Sequence, residues 1–299
     1  MAGVPVALAV DIGGTKLAAG LVDTEGNLLV RHRSPTPATP DGELLLATVI
    51  GVAREVLEQV PERPVVCGVA AAGPMTEGGE EVSPLNMPAW RGFPLRSRLA
   101  EELGLDTFVD NDAKALALGE GWVGGGRGRG SFIAMVVSTG VGGGMVLEGR
   151  LLGGRTGNAG HIGHVLVEPD GHLCGCGARG CLEAEASGTA IARITGRPAQ
   201  EADEATIERT GEMVGRAVAS VANLCDLDLA LVSGSVALGF GAPFFDAAQA
   251  ALRSGAMLDH SAASRILPGA LGHAGPLVGA GAVGWMGLGA DPLSGSVDL

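Results

Sequence analysis

The sequence predicts an α/β protein made of two related halves, and three observations support this prediction. Short apolar runs, typical of buried strands, alternate with segments of helical periodicity along the chain. The 299 residues, 46% of them hydrophobic, are enough for one large or two modest domains. A strand, a Gly- and Thr-rich hairpin and a second strand occur over residues 7–22 and again over residues 132–147. Such an internal repeat indicates a duplicated architecture, and we expect a central cleft between its halves.

The first half opens with an antiparallel meander. Strands are predicted at residues 4–10, 17–22 and 28–33, because each is a short apolar run bounded by turn residues. The segment DIGGTK, residues 11–16, forms the hairpin between the first two. The later elements are a helix at 43–59, a strand at 65–70, a helix at 95–103, a strand at 107–109 and a helix that begins at Ala113. One of the acids Asp110 and Asp112 is expected to cap this last helix.

The second half begins with the repeat. A strand at 132–137 leads into a hairpin at 138–144 (STGVGGG), and the returning strand covers 145–147. The later elements are helices at 183–195, 202–224, 243–253 and 276–288, and a strand at 229–232 that ends in the Ser-Gly-Ser turn 233–235. We expect a small N-terminal α/β domain at 1–119 and a large C-terminal α/β domain at 120–299, whose last helix packs back on the N-terminal domain.

Composition and charge argue against several classes of protein. The formal net charge of −13 argues against a nucleic-acid groove or an anionic membrane as partner. The sequence has no uninterrupted apolar run of about 18 residues, so no membrane-spanning helix is expected. The N-terminus lacks the basic region that precedes the apolar run of a secretory signal. We therefore expect a cytoplasmic protein.

Three cysteines and a histidine form the strongest candidate site. Cys174, Cys176 and Cys181 lie on a glycine-rich loop, and His164 precedes them. Tetrahedral zinc takes four ligands, and three cysteines with one histidine are a common structural set. Four protein ligands leave no position for a reacting water, so we predict structural zinc. The alternative is a disulfide with one spare thiol, which an odd number of thiols disfavours.

The two hairpins are candidates for phosphate binding. Backbone N–H groups in a glycine turn can surround phosphate oxygens, because no side chain blocks their approach. Thr15 and Thr139 add hydroxyl donors, and Lys16 can balance phosphate charge. Asp11 can hold Mg²⁺ directly or through water. Either hairpin alone is more often a tight β-turn, but the repetition of the unit favours the phosphate hypothesis.

Asp112 is the candidate general base. Phosphoryl transfer needs positioning and an acceptor for the hydroxyl proton, and a carboxylate at a strand end suits that role. The alternative is that Asp110 or Asp112 only caps the following helix. Asn86 and Asn111 offer the polar contacts that sugar hydroxyls require, although single asparagines are more often turn formers.

Five segments together resemble the ROK family (repressors, open reading frames, kinases). They are Asp11–Lys16, Asn111–Asp112, Ser138–Gly144, Gly160-x-x-Gly163-His164 and Cys174-x-Cys176-Gly177-x-x-Gly180-Cys181-x-Glu183. The resemblance covers nearly the whole chain. It implies the actin- and hexokinase-like (ribonuclease H-like) fold, in which two α/β domains enclose ATP and a sugar. It also implies a homodimer that phosphorylates a hexose 6-hydroxyl with ATP, with Asp112 as the base.

The resemblance also assigns residues to sites. The zinc ligands are His164, Cys174, Cys176 and Cys181. The sugar contacts are Asn86, Asn111, Asp112, His164 and Glu183. His164 belongs to both sets, and one ring nitrogen can bind zinc while the other donates to the sugar. We expect the contacts to ATP and Mg²⁺ to come from the hairpins and the Ser-Gly-Ser turn, namely Asp11, Gly13, Gly14, Thr15, Lys16, Thr139, Gly140, Gly142, Gly143 and Gly234.

One sugar-contact position departs from the family pattern. Most sugar kinases of the family have Glu where this chain has His161, and that Glu accepts hydrogen bonds from sugar hydroxyls. An imidazole can also donate, which suits a substrate with an acetamido carbonyl at C2. The segments Asp11–Ala19, Pro35–Ala38 and Ala159–His164 are similar to those of bacterial N-acetylmannosamine kinases. N-acetyl-D-mannosamine is therefore the first candidate substrate and D-glucose the second.

Two alternatives to a kinase are less favoured. A sugar-responsive repressor of the family carries a DNA-binding module ahead of the kinase-like part, and the first hairpin, at Asp11, leaves no room for one. A catalytically dead sugar-binding protein is disfavoured because Asp112 and both hairpins are intact.

Overall fold

Two five-stranded sheets form the framework of the protein. The structure is a computed structural model that describes residues 4–61 and 63–297. The strands are β1 Val6–Ile12, β2 Lys16–Asp23, β3 Leu28–Pro35, β4 Val66–Ala71, β5 Thr107–Asn111, β6 Phe132–Val137, β7 Val141–Leu147, β8 Arg150–Leu151, β9 Leu229–Ser233 and β10 Arg265–Pro268. The helices are α1 Gly42–Leu57, α2 Leu95–Leu103, α3 Asp112–Val123, α4 Leu182–Ala186, α5 Gly188–Thr195, α6 Glu204–Cys225, α7 Ser235–Phe240, α8 Ala242–Gly255 and α9 Gly275–Gly287.

The strand order shows that the architecture is duplicated. The first sheet has the order β3-β2-β1-β4-β5, and the second has the order β8-β7-β6-β9-β10. In each sheet the first three strands form an antiparallel meander and the last two are added in parallel. The prediction of an α/β fold with two related halves is therefore confirmed.

The described residues form two compact units. The first unit takes those within Met1–Gly128, Gly153–Ala159 and His273–Leu299. The second unit takes Arg129–Leu152 and Gly160–Gly272. Each unit contains one sheet and its own apolar core.

In the first unit, β1 is buried along its whole length because helices cover both faces of the sheet. Its even-numbered residues belong to the same core cluster as Leu45, Leu46 and Val49 of α1. The opposite face packs against α9 at very short range, since a Cβ on Gly68 of β4 would overlap the Ala280 carbonyl. Only glycine permits this approach of helix and strand.

In the second unit, α6 packs along α8. Two glycines of α6, Gly211 and Gly215, have no room for a Cβ against the carbonyls of Phe244 and Ala248 in α8. Small residues at these positions let the two helix backbones come close together. Among the described helices, none combines the length and the apolarity needed to cross a membrane.

Three details of the predicted elements were wrong. The helix at 183–195 is two helices, because Ser187 caps α5 by accepting the Ala190 N–H at 3.0 Å. The second hairpin is shorter than 138–144, because β7 already begins at Val141. The N-cap of α3 is Asn111, which accepts the Ala113 N–H at 3.0 Å, and neither of the neighbouring acids. The short elements β8, β10 and α7 were not predicted.

Candidate functional site

The four predicted metal ligands come together in the second unit. The ligand atoms of His164, Cys174, Cys176 and Cys181 all lie within 4.8 Å of one another. Cys174 Sγ lies 3.7 Å from His164 Nδ1, and Cys176 Sγ lies 3.7 Å from Cys181 Sγ. A tetrahedral zinc ion about 2.3 Å from each sulfur separates its ligands by about 3.8 Å. The cluster therefore fits structural zinc, and the cysteines are free thiols rather than a disulfide.

Glycines make the backbone turns that bring the thiols together. The Cys174 N–H donates to the Ala178 carbonyl at 2.8 Å, and the Gly177 N–H donates to the Cys174 carbonyl at 3.0 Å. Gly177 has a φ of +94° and Gly180 a φ of +70°. A Cβ on Gly180 would also overlap the Glu168 carbonyl. Glycine is needed at both positions because other residues rarely adopt this φ.

The thiols of the cluster differ in acidity. Burial raises the pKa of Cys174 and raises the pKa of Cys181 to about 12. The Ala178 N–H, by donating to Cys176, lowers the pKa of that thiol. Cys176 is therefore the thiol that loses its proton most readily to an incoming cation.

Glu185 anchors the cysteine loop to α6, and sequence analysis missed it. Its buried carboxylate accepts the His172 backbone N–H at 2.6 Å and pairs with Arg209 of α6. His172 Nδ1 lies 3.0 Å from the same carboxylate. A glutamate between two alanines, Ala184 and Ala186, is the signal that could have indicated such a partner.

In the first unit, three predicted residues meet at the carboxyl end of the parallel strands. Asp11 is in register with Ala70 of β4, which is in register with Asp110 of β5. Asn111 and Asp112 follow at the junction of β5 and α3. Parallel strands end at one edge of a sheet, which is why these polar groups share it. Asp112, the first residue of α3, accepts its neighbour's N–H at 2.8 Å.

Asp11 has an unusual acidity. The pKa of Asp11 is raised to about 7, first by burial and then by the negative charge of Asp112, while the positive charge of Lys16 acts in the opposite direction. Asp11 also lines a cavity of about 30 Å³ together with Lys16 and Arg33, among others. This volume has room for about one water molecule. A carboxyl group whose charge is penalised in this way is stabilised when a cation binds.

The turn between β1 and β2 presents N–H groups. The Gly13 N–H donates to the Lys16 carbonyl at 3.0 Å, while Thr36 donates through Oγ1 to the Gly13 carbonyl at 2.6 Å and through its N–H to the Thr15 carbonyl at 3.1 Å. Among the described residues, no hydrogen bond is found for the N–H groups of Gly14 and Thr15. Thr36 therefore binds the carbonyls of Gly13 and Thr15, and two donors of the turn are left for a ligand.

The first turn also touches a predicted sugar contact. A Cβ on Gly14 would lie 2.8 Å from Asn86 Nδ2. Asn86, Thr15 and Lys16 are all exposed. The structure thus places one predicted sugar residue beside the predicted phosphate turn of its own unit.

The turn between β6 and β7 repeats this arrangement. The Ser138 N–H donates to the Gly140 carbonyl at 2.9 Å. From α5, the Gly188 N–H donates to the Ser138 carbonyl at 2.7 Å, and Thr189 Oγ1 donates to the Thr139 carbonyl at 2.9 Å. In the described part of the chain, the N–H groups of Thr139 and Gly140 make no hydrogen bond.

Glu183 and Gly234 border the second turn. Glu183 Oε2 accepts the Val141 N–H at 3.0 Å. Gly234 has a φ of +102° and no room for a Cβ against the backbone of β6. Its neighbour Ser235, which sequence analysis did not select, shares a hydrogen bond of 2.9 Å between its Oγ and that of Ser138.

The remaining predicted residues lie close to the metal cluster or beyond the turn. His161 is half-buried, and its ring centroid lies 6.0 Å from that of His164. Gly142 and Gly143 lie in β7 and not in the turn. A Cβ on Gly143 would press against Ile162 and lie 3.1 Å from the Gly160 carbonyl, so this glycine admits the segment that carries His161 and His164.

The duplicated sheets, each with one N–H-lined glycine turn, have the actin- and hexokinase-like fold that was predicted. Within that fold, the chain belongs to the ROK family, whose profile matches residues 7–284.

The proteins that are similar in sequence include glucokinases and N-acetylmannosamine kinases. The chain is 41% identical over 203 residues to a glucokinase of Streptomyces coelicolor, which covers 68% of this chain and 61% of that relative. It therefore matches about three-fifths of that relative's length. It is 38% identical over 252 residues to an N-acetylmannosamine kinase of Citrobacter koseri, over 78% of this chain and 84% of the relative.

Solved structures of similar fold include two ROK enzymes. A ROK family glucokinase from Streptomyces griseus in complex with glucose and AMPPNP superposes with a TM-score of 0.84 and 30% identity, over 94% of this chain and 99% of that one. A ROK hexokinase from Thermus thermophilus gives a TM-score of 0.82 and 32% identity, over 95% and 99% of the two chains.

Proposed function

We propose that this protein transfers the terminal phosphoryl group of ATP to the 6-hydroxyl of a hexose. The observation that carries the proposal is the pair of glycine turns, in which neighbouring residues bind most of the carbonyls and two N–H groups of each turn are left for a ligand. Such N–H groups favour phosphate oxygens. The names of the similar proteins, which are glucokinase, hexokinase and N-acetylmannosamine kinase, support the same reaction.

In this proposal the carboxylates of the first unit carry the chemistry. Asp112 accepts the proton of the attacking sugar hydroxyl, and positioning does most of the remaining work. Asp11 would hold Mg²⁺, whose chemistry in such reactions is to neutralise charge on the phosphate oxygens. A pKa of about 7 means that Asp11 gives up its proton to such a cation near neutral pH.

The binding residues follow the same division. The sugar contacts proposed are Asn86, Asn111, His161, His164 and Glu183. The nucleotide contacts proposed are Gly13, Gly14, Thr15, Lys16, Thr139, Gly140 and Gly234, and those of Gly142 and Gly143 rest on the family resemblance alone. Zinc held by His164 and the three cysteines would be structural, fixing the ring of His164 for the sugar. A homodimer and a cytoplasmic location stay predictions.

N-acetyl-D-mannosamine is the substrate that we propose first. His161 can donate a hydrogen bond to an acetamido carbonyl, which a glutamate at this position cannot do. The N-acetylmannosamine kinase of Citrobacter koseri also aligns over 84% of its length, against 61% for the glucokinase of Streptomyces coelicolor. Glucose remains the second candidate, because the identity to the glucokinase is higher, at 41%.

An ADP-release assay over N-acetylmannosamine, N-acetylglucosamine, glucose, mannose and fructose tests both the kinase reaction and the choice of substrate. We expect kcat/KM for N-acetylmannosamine to exceed that for glucose by about tenfold or more. His161→Glu should shift this ratio towards glucose, because it removes the imidazole donor. A higher kcat/KM for glucose in the unaltered protein would overturn the substrate, and no turnover of any hexose would overturn the kinase proposal.

A further inference from the structure

Glu183 is hydrogen-bonded to the nucleotide turn of its own unit, although the family resemblance assigns it to the sugar. Its Oε2 accepts the N–H of Val141, the residue with which β7 begins directly after the turn, at 3.0 Å. The same oxygen lies 2.8 Å from the place that a Cβ on Gly140 would take. A side chain at position 140 would therefore push the carboxylate away from its donor.

The segment that carries Glu183 supports the turn at further points. The Gly188 N–H and the Thr189 hydroxyl bind the carbonyls of the turn at 2.7 Å and 2.9 Å. The Ser187 N–H donates to the Glu183 carbonyl at 3.3 Å, which joins α4 to the start of α5. The segment begins at Cys181, a member of the metal cluster. The support of the turn therefore runs from the cysteine loop through Glu183 to α5.

We propose that Glu183 is a positioning residue for the nucleotide turn Ser138–Gly140 as well as a sugar contact. The inference rests on the proposed function, because it takes the ligand of the turn to be a nucleotide phosphate. A charged acceptor holds the Val141 amide more firmly than a neutral one. Fixing that amide fixes the direction of the two preceding N–H groups, which are those of Thr139 and Gly140.

The contact also couples the two substrates. The hydrogen bond to the turn uses Oε2, which leaves Oε1 as the oxygen that can take a sugar hydroxyl. A sugar that orders the carboxylate orders the turn as well. By linkage, the nucleotide must then strengthen sugar binding by the same factor.

Nucleotide affinity measured without sugar separates a positioning role from a sugar contact. We expect Glu183→Ala to weaken binding of a non-hydrolysable ATP analogue with Mg²⁺ about three- to tenfold, the range for one lost hydrogen bond. Glu183→Gln, which keeps an acceptor for the Val141 N–H, should recover most of this loss. Glu212→Gln, a half-exposed carboxylate of α6 that pairs with Arg216, is the matched control and should bind as the unaltered protein does. If Glu183→Ala lowers sugar affinity alone, the inference is wrong.

Gly140→Ala provides a second test in which the carboxylate remains. Its methyl group displaces Glu183 from the amide, so we expect a similar loss of nucleotide affinity. Adding Glu183→Ala should then cause less than about a further twofold loss, because the same contact is already broken. Fully additive losses would overturn the inference.

Hydrogen exchange at the Val141 amide needs no bound nucleotide, so it tests the positioning role of Glu183 independently of the proposed function. We expect exchange to be faster in Glu183→Ala and unchanged in the amides of β6. If the unaltered protein bound no nucleotide, the proposed function would fail while the exchange result still decided whether Glu183 holds the turn. Unchanged exchange at Val141 would refute the positioning role even in an active kinase.

Discussion

The two glycine turns have the same strand connections but different supports. In the first unit, β3 runs for eight residues beside β2, and Thr36, directly after it, binds two carbonyls of the turn. In the second unit the matching strand, β8, has only two residues and ends far short of the turn. There the carbonyls are bound by Gly188 and Thr189, on the segment that follows the cysteine loop. The segment that follows the predicted zinc loop therefore supports one turn, whereas the residue that follows a strand supports the other.

A second difference lies in the strand that enters each turn. In β1, the residue before the last one paired with β2 is Asp11. In β6, the residue before the last one paired with β7 is Val136. The acids Asp11 and Asp112 both belong to the first unit, whereas Cys174, Cys176 and Cys181 belong to the second. Under the proposed function, the duplicated framework therefore has separated roles, with the acids of phosphoryl transfer in one half and the predicted zinc ligands in the other.

The largest effect is expected from a change confined to the chemistry of the first unit. Asp112→Asn should lower kcat about a thousandfold, within the range known for a lost general base. Nucleotide affinity should change less than about threefold, because both turns keep their supports. Asp106→Asn, an exposed acid just before β5, is the control and should keep full turnover. A kcat within tenfold of the unaltered enzyme would contradict the role of Asp112 as base.

Removing the predicted zinc should increase the mobility of the second turn, Ser138–Gly140, and leave the first turn unchanged. We expect purified protein to hold about one zinc per chain, and Cys181→Ser or chelation to lower the free energy of unfolding by more than about 5 kcal/mol. The melting temperature would fall by more than about 10 °C. Hydrogen exchange should rise at residues 138–141 and stay low at residues 13–16. Cys225→Ser, outside the cluster, controls for loss of a thiol. A metal-free preparation with unchanged melting and activity would refute the structural zinc.

Asp11, the acid of β1, should make the stability of the first unit depend on pH. The pKa of Asp11 is raised from 3.8 to about 7, first by burial and then by Asp112. Between these two pH values the folded protein holds a proton that the unfolded chain has released, so the free energy of unfolding falls as pH rises. The full difference corresponds to at most about 4 kcal/mol above pH 7.

Asp11→Asn tests this sign. Without added Mg²⁺ or nucleotide, the variant should be clearly more stable than the unaltered protein at pH 8, and the difference should shrink to about 1 kcal/mol at pH 4.5, when measured by urea unfolding. Activity should be lost in the same variant, because the amide cannot hold the cation. Equal slopes of stability against pH in the two proteins would show that Asp11 titrates normally.

The parts of the fold that were predictable from sequence are those with local signals. The bounds of α2 and β6 match their predictions, because each is a periodic or apolar run between clear breaks. The break at Ser187 was missed because serine continues a helical pattern as readily as it caps a helix. The short β10 and α7 have too few residues to show a period, and tertiary contacts form them.

The candidate site shows the same contrast between local signals, which the sequence reveals, and contacts between distant segments, which it does not. The metal cluster could be predicted because its ligands are close in the chain and their type and number define a tetrahedral site. The supports of the turns could not, because they join distant segments. Thr36 binds Gly13 across 23 positions, and Glu183 binds Val141 across 42. A lone threonine or a glutamate already assigned to the sugar has no local pattern that reveals such a contact.

The smallest effect is expected from a change at Thr36, which supports the first turn from the end of β3. Thr36→Val removes the hydroxyl that donates to the Gly13 carbonyl at 2.6 Å, with little change in volume. We expect a loss of about 1 kcal/mol in stability and a two- to fivefold weaker nucleotide affinity, at the scale of about one hydrogen bond. Thr48→Val, whose hydroxyl bonds to a carbonyl one turn back on the exposed side of α1, is the control. Exchange should rise at residues 13–16 and not at residues 138–141, the reverse of the result of metal removal. If both turns loosened in either experiment, the supports would not be independent, and the metal loop would not serve the second turn alone.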